Sequence, residues 1–267
     1  MNIFKFEFKQ LRKSILIWGL VVPISLFAYI GFFPLIADNS TGFQEIMNQL
    51  PEEMLAIFGM IPELPVTTIL GYFSLTFTII QIPIAIQACN YGFNMLSVEE
   101  RELTADFLLT RPVTRSKIII SKFLAAFAAL TIVNAVLWVA SIAAVLTFKG
   151  SATVQLNNVI VLLSTTIFFQ LFFVGVGMLV SMLVKKIQSV ISYSMALGFG
   201  MYIITSMGAL ISSDIFKYIS PYSHFAPQYI LVEGSYDWTL SLISFGVIII
   251  SLVGSYFLYL RRNIPSL

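Results

Sequence analysis

Apolar residues in this chain come in long blocks, not in alternation. Six stretches carry no Asp, Glu, Lys, Arg or His: Ser14–Ala37, Leu64–Val98, Phe123–Phe148, Gly150–Val184, Ile187–Ser213 and Thr239–Leu260. A helix crossing a hydrocarbon core of about 30 Å takes about 20 residues, and each stretch is long enough. In lipid the backbone N–H and C=O groups must be satisfied within the segment, so helices are expected. The strands of a membrane barrel would alternate polar and apolar over about ten residues, and these blocks do not. The second and fourth blocks exceed one crossing, so turns are expected near Leu64–Thr68 and Gly150–Leu156. The pattern predicts an all-α polytopic membrane protein. Residues 1–267 form one transmembrane domain with spans at 14–37, 68–97, 118–148, 156–184, 187–213 and 239–260.

Shorter periodic segments flank the blocks. Phe4, Phe8, Leu11 and Ile15 fall on one helical face, with Lys5, Lys9, Arg12 and Lys13 off it. That is the pattern of an amphipathic helix lying in the membrane interface and feeding the first span. The first block is too long for a signal-peptide core and has no convincing small-residue cleavage site, so it is expected to stay as a helix. Around Pro51, the residues Phe43, Ile46, Met47 and Leu50, then Met54, Leu55 and Phe58, have the spacing of two short interfacial helices. The segment Ser220–Trp238 mixes Pro221 and Pro227 with Tyr222, Tyr229, Tyr236 and Trp238. Aromatic residues in such a place are expected as interface anchors. A re-entrant turn is the alternative where protein shields the backbone.

Composition agrees with the blocks and adds an orientation. Hydrophobic residues make up 58% and charged residues 10%, with mean hydropathy +0.92. A soluble domain carries about 25% charged residues. Thirteen of the fifteen Lys and Arg fall in alternate connections: the N-terminus, 99–122, 185–186 and 261–262. The other connections hold only Lys149 and Lys217. The positive-inside rule then places both termini in the cytoplasm of a multi-pass plasma-membrane protein. The connection from Asp38 to Glu63 has five acids and no Lys or Arg, as an outside loop allows.

Candidate chemistry is sparse. No Gly-Lys dipeptide occurs, hence no phosphate-binding loop; H-E-x-x-H and G-x-S-x-G are also missing. The single cysteine, Cys89, excludes an intramolecular disulfide and a cysteine-cluster metal site. His224 is alone and reads as a plain interfacial histidine. No catalytic, metal or cofactor residue is assigned, and nothing in the chain points to nucleic acid. Ion-coupled carriers generally place ionisable groups at membrane depth, and the six blocks hold none of the five charged or basic types. What they hold is neutral polarity. Gln87, Asn90 and Asn94 share one face of the second span, with Gln81 deeper, Asn134 in the third span and Gln170 in the fourth. Such amides tie helices together for about 0.6 kcal/mol each; Gln87, Asn90 and Asn94 are also the candidate lining of a substrate path. Ala125/Ala129, Ala140/Ala144, Gly177/Ser181 and Ser194/Gly198 have the small-residue spacing that lets helices approach closely.

The segment EERELTADFLLTRPVTRSKIIISK, Glu99–Lys122, interrupts this apolar chain. Ser97 and Glu100 have the spacing of a capping box, and Pro112 disfavours helix at Arg111. A short cytoplasmic helix over 98–110 is expected, with Leu103 and Phe107 on one face and Glu99, Glu102 and Asp106 on another. Thr114 is placed to cap the next span. Physics alone leaves two readings open: a docking helix for a soluble partner, or a solvated loop helix.

This segment resembles the connection between the second and third spans in permease subunits of type-2 ABC exporters, in the branch with bacitracin-type resistance permeases. The matching residues are Glu100, Thr104, Asp106, Leu108, Leu109, Pro112, Val113, Arg115 and Lys122; Leu103 stands where many members have Gly. The overall layout, with Ser220–Tyr222 before the last span, is similar too. The resemblance implies a permease without its own ATPase site that exports an amphipathic or antibiotic-like substrate. It implies pairing with a second permease, as a homodimer or heterodimer, and docking of two ABC ATPase subunits that bind ATP and Mg. It implies a coupling role for Glu100, Glu102, Asp106, Phe107, Leu108, Leu109, Pro112 and Arg115. The alternative is a non-transporting membrane scaffold that docks a cytoplasmic partner through the same helix.

Overall fold

A computed structural model describes residues 3–101, 114–184, 187–211 and 213–261. Its helices in chain order are α1 (Ile3–Ile30), α2 (Phe33–Asp38), α3 (Ser40–Asn48), α4 (Glu52–Ile57), α5 (Ile69–Arg101), α6 (Arg115–Phe148), α7 (Leu156–Leu183) and α8 (Val190–Leu210). A 3₁₀ turn (Asp214–Tyr218), α9 (Pro221–His224), α10 (Pro227–Glu233) and α11 (Trp238–Arg261) follow. No strand occurs among the described residues; one isolated bridge pairs Ile61 with Leu64. Six helical segments are long and apolar enough to cross a membrane: Ile3–Asp38, Ile69–Met95, Arg115–Phe148, Leu156–Leu183, Val190–Leu210 and Trp238–Arg261. One falls on each of the six blocks of the sequence.

Packing makes neighbours of helices that are not adjacent in sequence. The most extensive pairing is α1 with α6, followed by α5 with α7, α11 with α7, and α5 with α8. The centre is aromatic and aliphatic, with Phe73, Phe77, Phe93, Phe169, Phe173 and Leu130 essentially inaccessible. α5 and α7 approach closely because Gly92 lies against the backbone of α7: a Cβ there would sit 2.5 Å from the Val174 carbonyl oxygen.

Three expectations change. The N-terminal segment is not a separate helix, because α1 runs unbroken from Ile3 to Ile30. Its stripe of Phe4, Phe8, Leu11 and Ile15 is half-buried and continues into Val22, Leu26 and Ile30, the face packed on α6. At 1.5 Å per residue α1 is roughly 42 Å long, more than a hydrocarbon core requires. Ser97 does not cap a new helix, because it lies inside α5, which continues to Arg101. Extending a formed helix adds one hydrogen bond per residue, whereas a new N-terminus leaves N–H groups without partners. Segment 98–110 therefore begins as the last turn of α5; its remainder, from 102, lies outside the described residues. The third change concerns Ser220–Trp238 and is described with the site.

The two short helices around Pro51 are present as α3 and α4, and α4 packs on α8. Residues Pro65–Thr68 and Gly150–Gln155 are non-helical.

Candidate functional site: the α5–α6 connection and the polar interior

Thr114 has extended backbone and accepts a hydrogen bond from the Lys117 N–H, so it caps α6 as the sequence suggests. Arg115 is the first residue of α6, and its guanidinium donates to the Leu260 carbonyl oxygen near the end of α11 at 3.5 Å. Next to it the Tyr256 hydroxyl bonds the Ser116 hydroxyl at 3.0 Å. Two turns further on, Lys122 Nζ lies 3.3 Å from Glu7 Oε1 of α1, with both side chains largely buried. The first turns of α6 are thus tied to α11 by Arg115 and Ser116, and to α1 by Lys122. Sequence reasoning missed the Glu7–Lys122 pair. The signal was a lone Glu among four basic residues, on the side of the helix that carries Phe4 and Phe8. Glu100 is in the last turn of α5. Glu102, Asp106, Phe107, Leu108, Leu109 and Pro112 lie outside the described residues.

The three amides of the second span do not act as one face. Gln87 is fully enclosed, and neither its nitrogen nor its oxygen makes a well-formed hydrogen bond. Asn90 and Asn94 are half-buried and line an open cavity of about 340 Å³ with Gln188, Ser189, Val190 and Ile191 at the start of α8. Gln188 and Ser189 were not singled out from the sequence, because nothing there says that α8 begins beside the end of α5. The other amides join elements. Asn134 Nδ2 donates to Gln170 Oε1 at 2.7 Å between α6 and α7, and Gln81 Nε2 donates to the Phe225 carbonyl oxygen at 3.1 Å.

That last bond marks the third change. Ser220–Trp238 is not only a belt of interface anchors, since its first half folds back into the bundle. Ser220, Pro221, Tyr222, His224 and Phe225 are buried. The Tyr222 hydroxyl donates to the Gly198 carbonyl oxygen of α8 at 3.0 Å. The Ser220 hydroxyl donates to the Met201 carbonyl oxygen at 2.9 Å. His224 Nδ1 is 2.6 Å from the Ser244 hydroxyl of α11. Gln81 stands twelve residues along α5 from Ile69, and Gly198 twelve residues before the end of α8. Each is roughly 18 Å along its helix, about half a hydrocarbon core. Backbone at that depth must be shielded and paired, and Gln81 supplies a donor for one carbonyl. The chain then climbs back through α10, where Asn158 Nδ2 donates to the Leu231 carbonyl oxygen at 2.9 Å. Tyr236 bonds Ser164, and Trp238 is exposed; only this second half keeps the anchor pattern.

Among the described residues, no group of three His, Cys, Asp or Glu could hold a metal ion. Six apolar helices around an interior joined mostly by neutral hydrogen bonds define a multi-pass membrane protein. The chain matches the ABC-2 family transporter protein model over residues 1–264 and belongs to that family. Comparison with curated proteins gives no significant match.

Proposed function

We propose that this chain is the membrane subunit of an ATP-driven exporter, in the branch with bacitracin-type resistance permeases, and that a separate ABC ATPase supplies the energy. The observation that carries the reading is the Glu99–Lys122 motif inside a chain that matches the ABC-2 family along its length. In this reading two permeases pair in the plasma membrane, with both termini in the cytoplasm. Two ATPase subunits, which bind ATP and Mg, dock on the 98–110 segments. Phe107 and Leu108 form the apolar plug in the ATPase groove. Glu100, Glu102 and Asp106 make polar contacts, Leu109 backs the plug, and Pro112 ends the helix.

The ties of α6 support a transmission role for the connection that precedes it. Arg115 and Ser116 hold α11, and Lys122 holds α1. A push on the connection is then shared by α5, α6, α1 and α11 rather than absorbed in one loop. The cleft of Asn90, Asn94 and Gln188 opens at the same end of the bundle and is the candidate entry for an amphipathic substrate. Met195, Phe199, Ile250 and Phe257 on α8 and α11 are exposed, and in this reading they face lipid and the second permease.

Leu108→Asp puts a charge into the proposed plug, at a cost of several kcal/mol if it stays buried without a partner. The expected outcome is loss of substrate-stimulated ATPase activity, with normal membrane insertion. Purification of the tagged wild-type chain in mild detergent should bring a stoichiometric partner with a phosphate-binding loop. An ATPase-free chain, together with unchanged behaviour of Leu108→Asp, would favour the scaffold reading instead.

A further inference from the structure

Where α2 ends, α5 begins and α6 ends, the bundle leaves an open cavity of about 870 Å³. Ligand sites typically span about 300–1,000 Å³. Its floor is apolar, with Phe33 buried and Leu64 and Phe148 half-buried. Its rim carries Asp38, Glu63 and Lys149. The two acids are exposed, and none of the three charges makes an ion pair with another described residue. Phe148 is the last residue of one candidate span and Ile69 the first of another. The cavity therefore lies at the level where the hydrocarbon of a bilayer gives way to headgroups. It is at the opposite end of α5 from Asn90, Asn94 and the Glu99–Lys122 motif, so it does not depend on how those are read.

We propose that this cavity binds a phospholipid whose headgroup carries a primary ammonium and a phosphate. The ammonium sits against the Asp38 and Glu63 carboxylates, where charge-assisted N–H···O bonds form. The phosphate sits on Lys149 and the hydroxyls of Ser151 and Thr153, which also line the cavity. The acyl chains run over Phe33 and Phe148. Thr68 is not available, because its hydroxyl donates to the Pro65 carbonyl oxygen at 2.7 Å and accepts from the Gly71 N–H at 3.1 Å. A lipid with an uncharged glycerol head would leave both carboxylates without a cation. A choline head brings charge but no N–H donor. A small soluble zwitterion would satisfy the rim and leave the apolar floor to water.

The test uses the purified full chain in detergent with dioleoyl phosphatidylethanolamine, phosphatidylcholine or phosphatidylglycerol, and native mass spectrometry reads the bound lipid. Partly exposed ion pairs are individually weak, so phosphatidylethanolamine should be retained at an about fivefold lower concentration than the other two. The double variant Asp38→Asn, Glu63→Gln should lose that preference. Lys149→Met should weaken retention of all three lipids alike, and Lys149→Arg should restore it. Asp38 and Glu63 are exposed and Lys149 only half-buried, so the variants should elute as the wild type does on size exclusion. Equal retention of the three lipids, or a preference that survives Asp38→Asn, Glu63→Gln, overturns the proposal. Soluble phosphoethanolamine at matched concentration should not displace the lipid; displacement would assign the site to a free zwitterion and overturn the lipid as occupant.

Discussion

His224 shows how burial sets the work of a polar residue here. It is 2% exposed and paired through Nδ1 with Ser244. Burial lowers its pKa below 6.5, against the backbone carbonyls of Tyr218 and Lys217 and the charge of Asp237, which favour the proton. The fold therefore prefers the neutral ring. Its contribution to stability is full above the unfolded pKa and is lost as pH falls below it. Thermal unfolding followed by tryptophan fluorescence should show a larger drop in Tm between pH 7.5 and 5.5, on the order of one pH unit either side of the free-His pKa, for the wild type than for His224→Asn. Parallel pH profiles would show that the ring is not held neutral by the fold. The sequence reading took His224 as a plain interfacial residue, since a lone histidine in an aromatic loop carries no sign that the loop turns inward. Gln81, Asn134 and Gln170 were legible as helix-joining amides, because an amide in an apolar block has few other uses. Their partners were not legible: Gln81 finds a carbonyl 144 residues away.

At the scale of elements, the crossing of α5 and α7 is the closest approach between two spanning helices at a glycine. A Cβ at Gly92 would lie 2.5 Å from the Val174 carbonyl oxygen and 3.1 Å from the Met178 nitrogen, all backbone. Gly177 faces the Cys89 carbonyl oxygen from the other side, where a Cβ would come to 3.2 Å. Gly92→Ala forces the two helices apart, an overpacking cost of about 1–3 kcal/mol. The melting temperature in detergent should fall accordingly. Gly200→Ala, where nothing lies within 4 Å, should match or exceed the wild type, since Ala favours helix by about 1 kcal/mol. Gly177 was visible as one of a small-residue pair with Ser181, whereas Gly92, which has Ala88 at the same spacing, went unremarked. Most helix ends were legible from punctuation: Thr114 caps α6, and turns precede Ile69 and Leu156. The junction at Ser97 was misread, because a capping residue inside a running helix has no reason to stop it.

For the whole molecule, block length alone is enough to read six crossings, since the length of an apolar run is set by the bilayer. The neighbour relations are another matter. Faces toward lipid and faces toward protein are both apolar in a membrane helix, so nothing in the blocks says that α1 packs on α6 rather than on α5. Sidedness rests on the thirteen basic residues in alternate connections of the sequence and is open to a direct test. Cys89 is buried and should not react with a membrane-impermeant maleimide. Ser151→Cys should label in intact cells, and Lys9→Cys only after permeabilisation; the reverse order would invert the topology. The Gln81–Phe225 bond has a further consequence, which concerns time. Ribosomes add about 5–20 residues per second, so the α5 amide waits roughly 7–30 s in the membrane before its carbonyl partner exists. The Gly198 and Met201 carbonyl oxygens wait only about 1–5 s, but they too receive Tyr222 and Ser220 only when the last fifth of the chain arrives. Biogenesis therefore ends with a plug. A nascent chain stalled before Ser220 leaves an open polar seam in lipid, the kind of surface that membrane chaperones and quality-control proteases recognise.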